Sequence, residues 1–301
     1  MTDRTGRPRD PPFVTQNSSG AARTNHVDGK VILITGAGGG FGRILAEMTA
    51  AMGARVAASD VDGAAAAATA DAITAAGGEA IGLRSDVTRR SDLDDVVRSA
   101  VDRWGRVDVL VNNAGVMPLA FFSDHAAAGD AWDRAIDINV KGVLNGICAV
   151  YDQMILQGRG HVVNLSSIYG NAGVAGSGVY SATKAAVRVL SDSLRVESQG
   201  KIKVTVVRPT GVMGTGLAAG VINQAAIVGL TGQHTERFGE RVQRLVSGAG
   251  LHAEETNVDD VRYWAITPED LVRQIVYVID QPWGVTINDI TVRATGEDYV
   301  L

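Results

Sequence analysis

Tyr180 and Lys184 stand four residues apart, so on a helix they share one face. Ser167 lies 13 positions before Tyr180, at the end of VVNLSS, an apolar run that reads as a buried strand. A hydroxyl, a phenol and an ammonium meeting at one strand end can move a proton on and off an oxygen. A phenol has an ordinary pKa of about 10 and is a poor base at neutral pH. A fixed cation favours the phenolate, at roughly 1.4 kcal/mol per pKa unit. Lys184 is expected to supply that cation, and the Ser167 hydroxyl to hold the substrate oxygen. Tyr-x-x-x-Lys also arises as a plain amphipathic helix start, so the assignment depends on the elements around it.

Those elements alternate. After Asp28, Lys30–Thr35 is a short apolar run, followed by Gly36-Ala-Gly38-Gly-Gly40-Phe41-Gly42 and a helical stretch. Strand, glycine loop and helix present backbone N–H groups to a phosphate, and glycine leaves room for a pyrophosphate to approach. A second strand, Arg55–Ser59, ends at Asp60, which can accept hydrogen bonds from an adenosine ribose and would repel a 2′-phosphate. No Arg or Lys occurs between Val56 and Ala80, which favours NAD over NADP. The competing reading is that Asp60 opens a turn. Helix 62–76, strand 80–84 and helix 91–104 follow; Asp86 either meets an adenine amino group or closes a turn.

Strand 107–111 runs into Asn112-Asn113-Ala-Gly115, whose amides can brace the loop and line a crevice. A long helix is expected from about Asp130 to Gln157, with Asn139 inside it needing a partner: a backbone carbonyl, or a water near Lys184. Strand 161–166 and helix 179–198 carry the opening trio. His161 falls at the strand's beginning and reads as structural. Strand 202–207 leaves through Arg208-Pro-Thr-Gly-Val212-Met-Gly-Thr215, a loop suited to closing over a ligand. Residues 217–266 read as one or two helices of a substrate lid. Helix 268–279 and strand 285–292 end the chain. Repeated strand–helix alternation implies an α/β fold: a doubly wound parallel sheet (Rossmann fold) of about seven strands with right-handed crossovers. In such sheets ligands bind beyond the strands' carboxyl ends, where the glycine loop, Asp60, Asp86, Asn113, Ser167 and the loop after Pro209 all fall.

Composition sets bounds. The 301 residues suffice for one large core, taken as a single catalytic domain over 29–301 behind a mobile polar tail over 1–28. A net charge of −5 gives no electrostatic reason to expect nucleic acid. One cysteine, Cys148, excludes an intramolecular disulfide and a multi-cysteine metal site, and reads as a buried helix residue. No metal is expected. No run approaches the roughly 20 apolar residues of a membrane span, no secretory signal is evident, and the expected location is cytoplasmic.

Thr35-Gly36-x-x-x-Gly40-x-Gly42, Asn112-Asn-Ala-Gly115, Asn139, Ser167 and Tyr180-x-x-x-Lys184, in this order and spacing, make the chain from Gly29 to Leu301 resemble the single-domain branch of the short-chain dehydrogenase/reductase family. The resemblance implies that Tyr180 is the acid/base, that Lys184 lowers its pKa and binds the nicotinamide ribose, and that Ser167 orients the substrate oxygen. Asn139 would support a water-linked proton path. Asp60 would hold the adenosine ribose, Asp86 and Val87 the adenine, and Val212 the carboxamide. Asn113 would line the channel. Gly36, Gly38, Gly40, Phe41, Gly42 and Thr215 complete the implied cofactor contacts.

The family usually forms homodimers or homotetramers through the helices beginning near Asp130 and Val179. Two features depart from the pattern. Pro209-Thr210-Gly211 replaces a common Pro-Gly, and the ending from Thr267 is similar to a 3-hydroxy-acid and serine dehydrogenase branch that tends to use NADP. The expectation is an NAD-dependent oxidoreductase interconverting a bulky or apolar secondary alcohol and its ketone, with Tyr169, Tyr263 and Trp264 as candidate pocket aromatics. An NADP-dependent reductase and a dinucleotide-sensing scaffold are the alternatives.

Overall fold

The computed structural model describes residues 24–212, 214 and 216–301. Seven parallel strands form one sheet in the order β3-β2-β1-β4-β5-β6-β7. They are β1 (Val31–Thr35), β2 (Arg55–Asp60), β3 (Glu79–Arg84), β4 (Val109–Asn112), β5 (Gly160–Leu165), β6 (Ile202–Pro209) and β7 (Asp289–Val292). Between them run α1 (Gly40–Ala51), α2 (Gly63–Ala75), α3 (Arg90–Trp104), α4 (His125–Ile136), α5 (Gly142–Gln157) and α6 (Gly178–Glu197). Beyond β6 come α7 (Val228–Thr231), α8 (Thr235–Val246), α9 (Ala253–Thr256) and α10 (Pro268–Ile279).

β1, β4 and β5 are buried at every position because both sheet faces are covered. In β1, Ile32 and Ile34 join the core beneath α1 and α10, whereas Val31 and Leu33 point into the core formed with α3, α5 and α6. The order reverses between β1 and β4, so the loops leaving those two strands diverge and open a crevice.

Some boundaries differ from the sequence reading. The expected tail lies outside the described residues as far as position 23. From Asn25 the chain is already anchored: its side chain donates to the Met52 carbonyl (2.8 Å), the His26 N–H donates to Asp280 Oδ1 (2.7 Å), and Val27 is fully buried. The final strand is shorter than 285–292, because pairing with β6 begins at Asp289. The segment expected to be one helix from about Asp130 starts earlier, at His125, and carries a π turn over Asp137–Lys141. Cys148 is half-buried rather than buried. The expected one or two lid helices are α7, α8 and α9 with three short 3₁₀ turns, and the Val212–Ile266 bridge closes the segment's base.

Close packing of α2 on β3 explains why its sequence is mostly alanine. A Cβ at Gly82 would come within 2.5 Å of Ala67 Cα and 2.6 Å of the Ala66 carbonyl oxygen. Both obstacles are backbone and cannot swing aside. Gly82→Ala is therefore expected to lower stability by about 1–3 kcal/mol through overpacking, read as a lower urea midpoint.

Candidate active site

Four hydrogen bonds hold the crevice at the sheet reversal. The Asn113 side-chain amide donates to the Thr35 and Gly36 carbonyls (2.9 and 3.0 Å), while Thr35 Oγ1 accepts from the Asn113 and Ala114 N–H groups (3.1 and 3.2 Å). Glycine is required at two points of the adjoining loop. Gly36 has φ +67°, and a Cβ at Gly42 would collide with the Gly36 carbonyl. The cleft above has a volume of ≈ 1210 Å³, enough for a dinucleotide and a further ligand.

The residues present fit a dinucleotide. Gly39 caps α1 without a side-chain hydrogen bond, so the first-turn N–H groups are left for an anion, and hypothetical Cβ atoms at Gly39 and Gly40 meet nothing within 4 Å. Gly36, Gly40, Phe41, Asp60, Asp86, Val87, Asn113 and Val212 all line the cleft. Gly38 and Gly42 do not. Gly38 instead donates its N–H to Asp60 Oδ2 (2.9 Å), and a Cβ there would press on Ala65 at 2.7 Å. Thr215 lies outside the described residues.

Asp60 receives the Gly38 and Asp62 N–H groups, as the turn reading expects, and also lines the cleft. Arg84, its register partner on β3, does not line the cleft. Asp86 closes a turn, accepting from the Thr88 N–H and hydroxyl (3.0 and 2.8 Å). Burial pushes its carboxyl up, but the Thr88 bonds with Arg89 and Arg84 outweigh this and hold it below the usual value.

Ser167, Tyr180 and Lys184 are brought together and are all buried, at 6%, 3% and 6% exposure. β5 delivers Ser167, and the first two turns of α6 deliver Tyr180 and Lys184. Lys184 Nζ donates to the Leu165 carbonyl (2.9 Å) and lies 5.8 Å from the centre of the Tyr180 ring. Burial lowers its pKa to about 8. Sequence reasoning expected Lys184 to hold the phenol down. Here burial dominates instead, pushing Tyr180 up to about 12 while the Ser167 hydroxyl acts the other way.

Asn139 has the backbone-carbonyl partner that was one of its two readings. Its Oδ1 accepts from the Val116 N–H (2.9 Å), and its Nδ2 donates to the Val116 carbonyl (2.9 Å) and Thr183 Oγ1 (3.1 Å). The amide thus acts as a clamp between the π turn, the loop after β4 and α6. His161 is remote from the cleft and buried, bonded through Nε2 to Thr205 Oγ1 (2.8 Å). Burial, with Lys203 and Lys30, pushes it well below its ordinary pKa.

Of the candidate aromatics, Tyr169 lines the cleft, whereas Tyr263 and Trp264 do not. Tyr263 donates to Asp270 Oδ2 (2.7 Å) and Trp264 to Asp298 Oδ2 (2.8 Å). Sequence reasoning missed Phe238 and Tyr299, which line the cleft from α8 and the last residues. The spacing within TERFGERV could have pointed to Phe238; nothing local marks Tyr299.

A doubly wound sheet with this cleft and this trio defines a dinucleotide-linked oxidoreductase class. The sequence model of the short chain dehydrogenase family matches residues 30–226. The chain belongs to the short-chain dehydrogenase/reductase family and is an oxidoreductase of it. It is 35% identical to an uncharacterized oxidoreductase of Listeria innocua, over 91% of this chain and 99% of that one. A Burkholderia phymatum short-chain dehydrogenase/reductase solved in complex with NAD superposes with TM-score 0.69 at 28% identity, covering 89% of this chain and 90% of that one. A 7α-hydroxysteroid dehydrogenase complexed with NADH and 7-oxo glycochenodeoxycholic acid gives 0.71 at 25% identity, covering 90% and 94%.

The depressed Lys184 makes stability depend on pH. Between pH 8 and 10.5 the unfolded chain keeps its lysine proton while the folded chain has released it, so stability rises with pH across that window. The unfolding free energy of the wild type minus that of Lys184→Met is therefore expected to increase from pH 8 to 10.5, read by urea titration. A flat difference would show that the ammonium is not desolvated.

Proposed function

We propose that the protein is an NAD-dependent oxidoreductase interconverting a secondary alcohol and a ketone, with an apolar substrate of some bulk. The observation that carries the proposal is the convergence of Ser167, Tyr180 and Lys184 in one cleft with the glycine loop and Asp60. A nicotinamide dinucleotide bound there supplies the acceptor and donor of hydride. The α1 N–H groups would hold its phosphates, Asp60 its adenosine ribose, and Lys184 a ribose hydroxyl.

Ser167 donates to the substrate oxygen and shares the charge that develops on it. Tyr180 takes the alcohol's proton during oxidation and returns it during reduction. With its phenol pushed up to about 12, Tyr180 is protonated near neutrality and suited to donate to a ketone. Oxidation needs the phenolate, so kcat/KM for oxidation should rise with pH, and that for reduction should not. The Asn139 clamp fixes α6 relative to the loop after β4, which sets where Tyr180 stands. Support for assembly into homodimers or homotetramers comes from an apolar surface groove lined by Phe122, Ile136, Val140 and Val179, on and beside α4 and α6.

The test is nicotinamide absorbance with NAD and NADP in parallel, over secondary alcohols from 3-hydroxy acids to fused-ring alcohols. Turnover with NAD on the fused-ring members is expected. Turnover confined to NADP and small hydroxy acids would refute both the cofactor and the substrate reading. Tyr180→Phe should remove nearly all turnover while NAD binding, read by calorimetry, persists. Asp60→Ala should weaken NAD by about tenfold and narrow its preference over NADP, consistent with one lost hydrogen bond to a charged group.

A further inference from the structure

Asp298 is a fully buried carboxylate far from the reacting trio in sequence, and it gathers donors from two elements. The Arg237 guanidinium donates to Oδ1, Arg241 Nη1 donates to both oxygens (2.8 and 2.7 Å), and Trp264 Nε1 donates to Oδ2. Arg241 also reaches Glu255 Oε1 (2.8 Å). Arg237 and Arg241 are one helical repeat apart on α8, and Phe238 and Val242 form the neighbouring stripe. The first stripe is tied to Asp298 and the second lines the cleft.

The residue after Asp298 is Tyr299, which also lines the cleft. Its ring lies 6.0 Å from that of Phe238, which lies 5.7 Å from Trp264. A side chain at Gly211 would collide with the Tyr299 hydroxyl, so this ring rests on the loop that carries Val212. The Val300 N–H donates to the Leu230 carbonyl (2.9 Å) and closes the same wall. Ile227 and Leu230 complete it, and none of the residues on this wall carries a formal charge, because the α8 guanidinium groups are spent on Asp298 and Glu255.

We propose that Tyr299 and Phe238 form a specificity subsite that holds an uncharged, ring-bearing part of the substrate, with Asp298 as the residue that positions both. This deepens the proposed function and rests on it for the identity of the cleft as a substrate site. Among the described residues a carboxylate-bearing substrate would find no cation at this end, whereas a fused carbocycle would find two aromatic faces. Burial and the neighbouring Glu297 and Asp298 carboxylates push the Tyr299 phenol upward, so it stays neutral.

The experiment is fluorescence titration of the full chain with prodan, a neutral naphthyl ketone, and with anilinonaphthalene sulfonate, its anionic counterpart in size. Saturable prodan binding is expected, tighter than that of the sulfonate. Tyr299→Ala and Phe238→Ala should each weaken it by about tenfold. Tyr299→Phe should keep the wild-type affinity, because the ring and not the hydroxyl does the holding. Asp298→Asn should weaken prodan while circular dichroism stays that of the wild type. Absence of saturable prodan binding, sulfonate binding as tight as prodan, or affinity unmoved in both alanine variants overturns the inference. Dye binding is read without turnover. A chain that transfers no hydride but shows this pattern fails the proposed function alone; one that oxidises alcohols with dye affinity unmoved fails the subsite alone.

Discussion

One amide fixes the geometry on which the site depends. Asn113 bonds to the end of β1 from the end of β4, the two strands between which the sheet reverses direction. Without it, the Gly36 carbonyl would be free to swing and the glycine loop would lose its floor. With it, the α1 N–H groups, the Asp60 carboxylate and the residues beyond β5 share a single frame. A half-buried amide loses free energy for each donor left unpaired, and here the amide nitrogen donates to two carbonyls.

Dryness is the second organising constraint. Burial moves the Tyr180 phenol up and the Lys184 ammonium down, each toward its neutral form. Burial therefore favours a protonated phenol next to a weakened cation, and charge arriving in the cleft meets groups with little water to compete for it. That environment strengthens any electrostatic contact made during reaction.

The sheet was legible in the sequence because short apolar runs alternate with helical stretches, and β1, β2 and β4 end at glycine, Asp or Asn. Ser167, Tyr180 and Lys184 were legible because periodicity puts them at one strand edge and the surrounding motifs, in their order and spacing, singled them out from a plain helix start. Asp86 was half legible: its turn is local, and its exposure to the cleft is not. The phenol's upward shift could not be read, since it depends on burial by segments far along the chain. Tyr299 was invisible for the same reason. It enters the cleft only because Asp298 is gripped by arginines about sixty residues earlier.

The π turn at Asp137–Lys141 has a wider consequence. An α-helix advances about 100° per residue, so one extra residue in a turn rotates everything downstream by that angle. The helix before the turn and the helix after it therefore obey different phases, like two gears joined by a slipped tooth. A single hydrophobic stripe drawn across the pair cannot hold for both. The slip is what points the Asn139 amide sideways at Val116 and Thr183 while Val143 and Ile147 still face the sheet. Removing Lys141 from this turn would delete no residue that lines the cleft, yet it would rotate one helix half against the other and pull the clamp out of reach.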